Sequence, residues 1–117
     1  MTDSLAEQHC KPCEGGVPAL TTEQATKLME ALHPGWTLRS DGKEITRTFE
    51  FKAYSRTIAF TNVVAWIATN EGHHPDLVVS YGKCVVNYST HAVGGLTDND
   101  FICAAKIDQC ASTVISD

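Results

Sequence analysis

Two periodicities alternate along the chain, and each change of period marks a new structural element. Apolar side chains recur at helical spacing from about Leu20 until His33-Pro34-Gly35 ends the pattern. A strand-like alternation follows at residues 36–39 and again at 45–51, with Asp41-Gly42 as a tight turn between them. Arg47 is a charged residue on the apolar side of the second run, which favours a snorkelling or edge position over a ligand contact. The first half therefore predicts a short amphipathic helix and a β-hairpin.

The second half repeats this order with longer elements. Residues 53–70 carry apolar side chains on more than one helical stripe, which predicts a central, well-buried helix that ends at Gly72. Residues 77–81 and 84–90 alternate again and predict a second hairpin. Thr97 is a natural N-cap for a last helix, in which Asp100 takes the third position.

The predicted order α-β-β-α-β-β-α indicates an α+β fold, in which a four-stranded antiparallel sheet carries three helices on one face. The other sheet face and any free strand edge are open to a second copy, so we expect a homo-oligomer, either a dimer or a tetramer. Residues 1–19 lack sustained periodicity, which predicts a flexible N-terminal arm before a single domain at residues 20–117.

Composition and charge narrow the possible functions. The chain of 117 residues is 43% hydrophobic and 20% charged, as globular proteins are, and its formal net charge is −5. It has no lysine and arginine cluster of the kind that holds phosphate backbones. Its apolar runs are too short to cross a bilayer. We expect no direct nucleic-acid binding, no membrane association and a cytoplasmic location.

The cysteines do not form the even, regular set of a disulfide framework. They are five in number: Cys10, Cys13, Cys84, Cys103 and Cys110. This set is typical of a reducing compartment. Cys10-Lys11-Pro12-Cys13 has CxxC spacing and His9 adjoins it, so a metal or redox site is an alternative to a solvated tail.

The residues best suited to proton transfer or metal binding lie in one motif, Glu71-Gly72-His73-His74-Pro75. Histidine has an unperturbed pKa near neutrality, and His91 follows after the second hairpin. Proline favours an extended His74, which turns it away from His73 and makes one shared metal ion difficult. A metal site completed by His91 and Asp100 stays open, and so does a purely structural role for the rings. Helix capping alone would also explain Asp100.

No serine-histidine-aspartate order, P-loop or GxGxxG motif stands out. Metal-free acid/base chemistry on a small molecule fits the histidines. In a dehydration, one imidazolium protonates a departing hydroxyl and a second nitrogen base takes the matching proton. An aspartate would orient a ring or bind the polar edge of the substrate.

A set of motifs with characteristic spacing covers residues 20–106. It comprises Phe51-Lys52, Phe60, Glu71-Gly72-His73-His74-Pro75, Tyr81-Gly82-Lys83, Ser89-Thr90-His91, Gly95-Leu96 and Asn99-Asp100. Together these motifs resemble the pterin-4a-carbinolamine dehydratase family. The resemblance implies the same α+β fold and a hydro-lyase that eliminates water from 4a-hydroxytetrahydrobiopterin, or a related 4a-hydroxytetrahydropterin. The product would be a quinonoid dihydropterin, recycled as a cofactor for aromatic amino acid hydroxylases.

The resemblance also implies roles for individual residues. It assigns catalysis to His73, His74 and His91, with His73 and His91 as acids and His74 as the base or a substrate-binding partner. The predicted substrate-binding residues are Asp100, Glu71, Pro75, Ser89 and Thr90. The family works without a metal, so the resemblance implies no metal and no cofactor, the pterin being the substrate.

Two departures and two alternative functions accompany the resemblance. Tyr81 stands where bacterial relatives often carry tryptophan, and the cysteine-bearing arm lies outside the matched region. Because animal members of the family also act as dimerisation partners of a transcription factor, a protein-binding coactivator module is the alternative function. A metal-dependent enzyme with histidine and aspartate ligands is a further one.

Overall fold

The computed structural model describes residues 4–12 and 18–114. Its helices are α1 (Thr22–Met29), α2 (Tyr54–Glu71) and α3 (Asp98–Val114), and its strands are β1 (Thr37–Leu38), β2 (Ile45–Glu50), β3 (Asp76–Val79) and β4 (Lys83–Tyr88). The order α-β-β-α-β-β-α and the α+β class are those predicted from the sequence.

The four strands form one antiparallel sheet in the order β1-β2-β4-β3. The central pair, β2 and β4, runs in register from Ile45 opposite Tyr88 to Glu50 opposite Lys83. Alternate residues of both strands are buried, including Phe49 and Val86. Since successive strand side chains point to opposite faces, the buried residues define the face that receives the helices.

The core lies between this sheet face and the long helices. Phe49 of β2 meets Phe60 of α2 with ring centroids 4.4 Å apart, and Phe101 of α3 is fully buried. Helix α1 begins with a capping box. Thr21 Oγ1 accepts the backbone N–H of Gln24, while the Gln24 side chain accepts the backbone N–H of Thr21.

Arg47 lies on β2 opposite Val86 of β4, beyond the two residues of β2 that pair with β1. Its Nη1 donates to Oδ1 of Asp108 on α3 at 2.6 Å, and its guanidinium carbon lies 4.2 Å from the centroid of the Phe49 ring. Trp36 Nε1 donates to the same Asp108 oxygen at 2.7 Å. A charged residue on the apolar face is therefore accommodated by a carboxylate from the opposing helix.

The end of α2 positions the histidine motif. Gly72 has φ +67°, a left-handed conformation that favours glycine, and it closes the helix. The next backbone N–H, that of His73, donates to the Ala68 carbonyl at 3.1 Å. This C-terminal cap turns the chain off the helix axis, so that His73 follows the helix and precedes β3.

Residues 4–12, the described part of the predicted arm, lie against the domain. Leu5, Ala6 and Cys10 pack on the core, and Lys106 Nζ of α3 donates to the Ala6 carbonyl at 2.8 Å. Cys13, the second cysteine of the CxxC motif, lies outside the described residues. The division into a flexible arm and a domain stays a prediction.

Two expectations concern the outside of the molecule. Within the part of the chain described, no helix is long and apolar enough to span a membrane. The homo-oligomer was predicted from an open sheet face and free strand edges. Strand β3 is an edge strand, and Val78 on it is 60% exposed. The oligomeric state itself stays a prediction.

Candidate active site

Three chain segments meet at one corner of the fold: the end of α2, the end of β4 and the start of α3. They surround a pocket of about 220 Å³. Its lining residues are Lys11, Gly72, His73, His74, Ser89, Thr90, His91, Ala92 and Asn99. The structure thus brings all three predicted catalytic histidines to a single pocket.

His73 is anchored to a fully buried carboxylate. Its Nε2–H donates to Oδ1 of Asp100 at 2.6 Å, and the two side chains are 12% and 0% exposed. The Tyr88 ring stacks on the imidazole, with centroids 5.4 Å apart and planes at 17°. The Tyr88 hydroxyl also donates to the His73 carbonyl at 3.3 Å. Ring orientation and backbone position are therefore both fixed.

The second oxygen of Asp100 is held by the polypeptide around it. Oδ2 accepts the Thr90 hydroxyl at 2.8 Å and the Thr97 backbone N–H at 2.9 Å. The Thr90 and Thr97 hydroxyls lie 2.9 Å apart. Asp100 therefore caps α3, as its sequence position predicted, and also binds His73. The capping explanation and the functional one apply to the same carboxylate.

Opposing influences act on the pKa of His73. Burial alone lowers it, but the hydrogen bond to Asp100 and the negative charge of that carboxylate outweigh burial, and the pKa is raised above its ordinary value. Asp100 therefore favours the imidazolium form of His73 more strongly than that form is favoured in a free histidine. A histidine in this state is suited to giving a proton to a leaving group.

His74 and His91 differ from His73 in their surroundings. Both residues are exposed, whereas His73 is mostly buried. His91 opens a short 3-10 helix, His91–Val93, directly after β4. The pocket therefore combines one fixed histidine with two that are open to solvent or to a bound molecule.

The predicted substrate-binding residues occupy different places. Ser89 and Thr90 line the histidine pocket, and the Thr90 hydroxyl is committed to Asp100. Glu71 instead lines a separate pocket of about 260 Å³ next to His9 and Lys106. Pro75 is not among the described residues lining either pocket. The substrate-binding assignments of Glu71 and Pro75 stay predictions.

Among the polar side chains that line the histidine pocket, sequence reasoning missed those of Lys11 and Asn99. Their contact is reciprocal: the Lys11 backbone N–H donates to Asn99 Oδ1 at 3.0 Å, and Asn99 Nδ2 donates to the Lys11 carbonyl at 2.7 Å. Asn99 appeared in the sequence only as the neighbour of Asp100. Lys11 carried no signal, because nothing local predicts where an aperiodic segment docks.

Two cysteines lie behind the pocket. Cys10 Sγ and Cys103 Sγ are 3.5 Å apart, and Cys103 Sγ lies 3.8 Å from the His73 carbonyl oxygen. Hydrogen bonding to Cys103, together with burial, raises the pKa of the Cys10 thiol. Among the residues described, no group of three or more histidine, cysteine or acidic side chains has the geometry to hold a metal ion.

Comparison with known proteins decides the family. A family model described as pterin 4 alpha carbinolamine dehydratase matches residues 18–110. The chain belongs to this dehydratase family. The family and the names of its members make the protein a hydro-lyase, in agreement with the resemblance recognised in the sequence motifs.

Relatives of this dehydratase cover nearly its whole length. A protein of Nitrosomonas eutropha, named "Putative pterin-4-alpha-carbinolamine dehydratase", is 56% identical over 104 residues, which are 89% of this chain and 90% of the relative. A protein of Legionella pneumophila strain Paris with the same name is 50% identical over 109 residues, 93% of this chain and 96% of the relative.

Solved structures share the fold. The "transcriptional coactivator/pterin dehydratase" of Brucella melitensis superposes with a TM-score of 0.74 at 31% identity, covering 80% of this chain and 98% of that one. A pterin dehydratase-like protein described as a RuBisCO assembly factor has a TM-score of 0.58 at 20% identity, covering 68% of this chain and 92% of that one. This second likeness concerns the fold alone.

Proposed function

We propose that this dehydratase eliminates water from 4a-hydroxytetrahydrobiopterin, or a related 4a-hydroxytetrahydropterin, by histidine acid/base catalysis without a metal. The observation that carries the proposal is the 2.6 Å bond between His73 and buried Asp100 in a pocket shared with His74 and His91. Family membership supplies the class of substrate.

The reaction requires one proton to be given and one to be taken. An imidazolium, His73 or His91, donates a proton to the 4a-hydroxyl, and the C4a–O bond breaks as water leaves. A base, His74, takes the proton from N5 as the N5–C4a double bond of the quinonoid dihydropterin forms. Because His73 uses Nε2 to bind Asp100, Nδ1 is the nitrogen that remains for the substrate.

Asp100 supports this chemistry by orientation and charge. Its carboxylate is fixed by Thr90 and Thr97, so the ring that it binds does not need to reorganise during the reaction. Its charge favours the protonated ring. Ser89 and Thr90 line the pocket, and we assign them to substrate binding. Asp100 is fully buried and bonded to His73, so it acts on the substrate through that ring.

The cellular setting follows from the proposed product. A quinonoid dihydropterin is the form that must be reduced before a pterin cofactor can be used again, so we place the enzyme beside an aromatic amino acid hydroxylase in the cytoplasm. We also propose a homo-oligomer. The exposed Val78 and Tyr81, at and just after edge strand β3, are apolar surface that a second copy would cover.

The decisive experiment is turnover of a synthetic 4a-hydroxytetrahydropterin with and without a chelator. We expect the wild type to accelerate dehydration equally in both conditions, and His91→Ala to lower kcat by roughly two orders of magnitude, the usual contribution of a general acid. His91 is exposed, so the variant is expected to keep its fold. An inactive wild type would refute the proposal, whereas loss of activity with the chelator would favour a metal-dependent enzyme.

Protein binding is the second candidate function. The solved relative from Brucella melitensis carries the words "transcriptional coactivator" beside "pterin dehydratase" in its description. A coactivator role uses the outer surface, so binding of a purified partner is expected to survive His91→Ala. Stable partner binding by a wild type that does not turn over pterins would favour this function over dehydration.

A further inference from the structure

Lys11 lies outside the region matched by the family model, yet it lines the histidine pocket. We propose that Lys11 is a substrate-binding residue, and that Glu71 and Asn99 are positioning residues that hold Lys11 at the pocket. This inference rests on the proposed function, because the ligand of Lys11 is the pterin.

Glu71 fixes the segment just before Lys11. Its Oε1 accepts the Cys10 backbone N–H at 2.7 Å and its Oε2 accepts His9 Nδ1–H at 3.0 Å. Lys106 Nζ lies 3.7 Å from Oε2. The Glu71 side chain is only 3% exposed, so its carboxylate is directed into these contacts and away from bulk water. Burying a carboxylate is costly unless it is satisfied in this way.

Asn99 fixes Lys11 itself. The side-chain amide of Asn99 bonds both backbone groups of Lys11, the N–H at 3.0 Å and the carbonyl at 2.7 Å. The pair is similar to the two hydrogen bonds that residues on neighbouring antiparallel strands exchange. Asn99 is buried and directly precedes Asp100 in α3. The backbone of Lys11 is thereby tied to the same helical turn that anchors His73.

The side chain of Lys11 supplies what the rest of the pocket lacks. Among the described residues that line this pocket, Lys11 is the one lysine or arginine, so it brings a permanent positive charge and three N–H donors. None of these lining residues is acidic, so none competes with a ligand for the Lys11 ammonium. The polar edge of a pterin carries the C4 carbonyl oxygen, which accepts hydrogen bonds, beside N3–H and a 2-amino group, which donate. The Lys11 ammonium therefore donates to an acceptor on this edge, which leaves the histidines for proton transfer at C4a and N5.

The role of Glu71 differs from substrate contact. Since its carboxylate binds the backbone of Cys10 and the side chain of His9, it acts on the substrate only through the position of Lys11. Loss of Glu71 and loss of Lys11 are then expected to remove the same interaction. Their effects on substrate affinity are not additive.

The test compares full-length Lys11→Met, Lys11→Arg, Glu71→Ala and the Lys11→Met/Glu71→Ala double variant, with Lys27→Met on exposed α1 as the matched control. A charged hydrogen bond corresponds to roughly a tenfold change in affinity. We expect KM to rise about tenfold in Lys11→Met with kcat within twofold, Lys11→Arg to restore most of the affinity, and Lys27→Met to behave as wild type. The KM of the double variant is expected to equal that of whichever single variant binds the substrate more weakly.

Equilibrium binding of 7,8-dihydrobiopterin, a stable pterin, separates this inference from the proposed function. A similar, roughly tenfold rise in Kd for Lys11→Met, with rescue by arginine, supports the inference even if the wild type turns over no substrate. An unchanged KM and Kd in Lys11→Met would overturn the inference while leaving an active wild type as a dehydratase. A wild type that neither binds nor converts pterins would overturn both. Additive effects in the double variant would overturn the positioning role of Glu71.

Discussion

Asp100 Oδ1 lies 2.6 Å from His73 Nε2, and the same carboxylate caps the helix on which it stands. One buried group thus joins the framework of the fold to the imidazole of the pocket. Because the carboxylate is held by Thr90 and Thr97 as well, the position of the His73 ring depends on three separate chain segments.

The stability of the protein is expected to depend on the ionisation of His73. Its pKa in the folded state is raised above the ordinary value of 6.5, mainly because the Asp100 carboxylate outweighs burial. The protonated ring therefore contributes stability that is fully present below about pH 6.5, the pKa of an unfolded histidine, and lost as the pH rises through the folded-state pKa. Comparison with His73→Gln by urea unfolding from pH 5 to 9 measures this contribution. A stability difference that stays constant across the range would contradict it.

A Thr90 variant measures how much the hydrogen bond from Thr90 to the Asp100 carboxylate contributes to stability and activity. Thr90→Val keeps the shape of the side chain but removes a hydroxyl that donates to Asp100 and contacts Thr97. The loss of a hydrogen bond to a buried carboxylate is expected to cost about 1 to 3 kcal/mol in the free energy of unfolding. It should also lower kcat, since the His73 ring loses orientation. Thr26→Val, on exposed α1, is a threonine control whose hydroxyl bonds only within its helix.

The elements of the fold could be predicted because each carries its own local signal. The capping box at Thr21 and Gln24, and the glycine that ends α2, lie within a few residues of the structure that they specify. Alternation alone identified the buried face of β2. Local patterns of this kind are sufficient for element type, order and the face turned to the core.

The site could be predicted only in part, because its contacts join distant positions. The histidines and Asp100 were recognised from their motif and its spacing, but the capping interaction was the only contact of Asp100 that sequence position alone implied. The bond from Cys10 to Glu71 spans 61 residues, and the Lys11 and Asn99 pair spans 88. No periodicity encodes such pairs, so Glu71 was assigned to the substrate and its contact with the arm was not foreseen.

Asp108 is expected to contribute more to the free energy of unfolding than its partial exposure to solvent suggests. It accepts hydrogen bonds from Arg47, Trp36 Nε1 and the His33 backbone N–H, at 2.6, 2.7 and 3.0 Å. Asp108→Ala leaves the Arg47 guanidinium without its carboxylate partner beside the core, which is expected to cost about 3 kcal/mol. Arg47→Met, which removes the charge as well, is expected to cost less. Urea unfolding of both variants measures the difference, and a larger loss in Arg47→Met would show that packing of the arginine stem dominates.

The distance between Cys10 and Cys103 provides a direct test of arm docking in solution. With the two Sγ atoms 3.5 Å apart, oxidation by diamide is expected to join them, two thiols being oxidised to one disulfide as diamide is reduced to its hydrazine. Tryptic peptides linking Cys10 to Cys103 would be detected by mass spectrometry in a Cys13→Ser background, which removes the neighbouring thiol. Cys103→Ser in that background is the control and is expected to give no such peptide.

The crosslinked protein carries a second expectation. Closing a loop of this length restricts the unfolded chain and is worth at most about 4.7 kcal/mol in the loop-entropy model, so the oxidised form is expected to unfold at higher urea concentration. Since the bridge would hold residues 9–12 against α3, it is also expected to leave KM unchanged in the wild-type background while lessening the effect of Glu71→Ala. Failure of the linked peptide to form would mean that the arm spends little time in the docked position, and it would remove the physical basis for placing Lys11 at the histidine pocket.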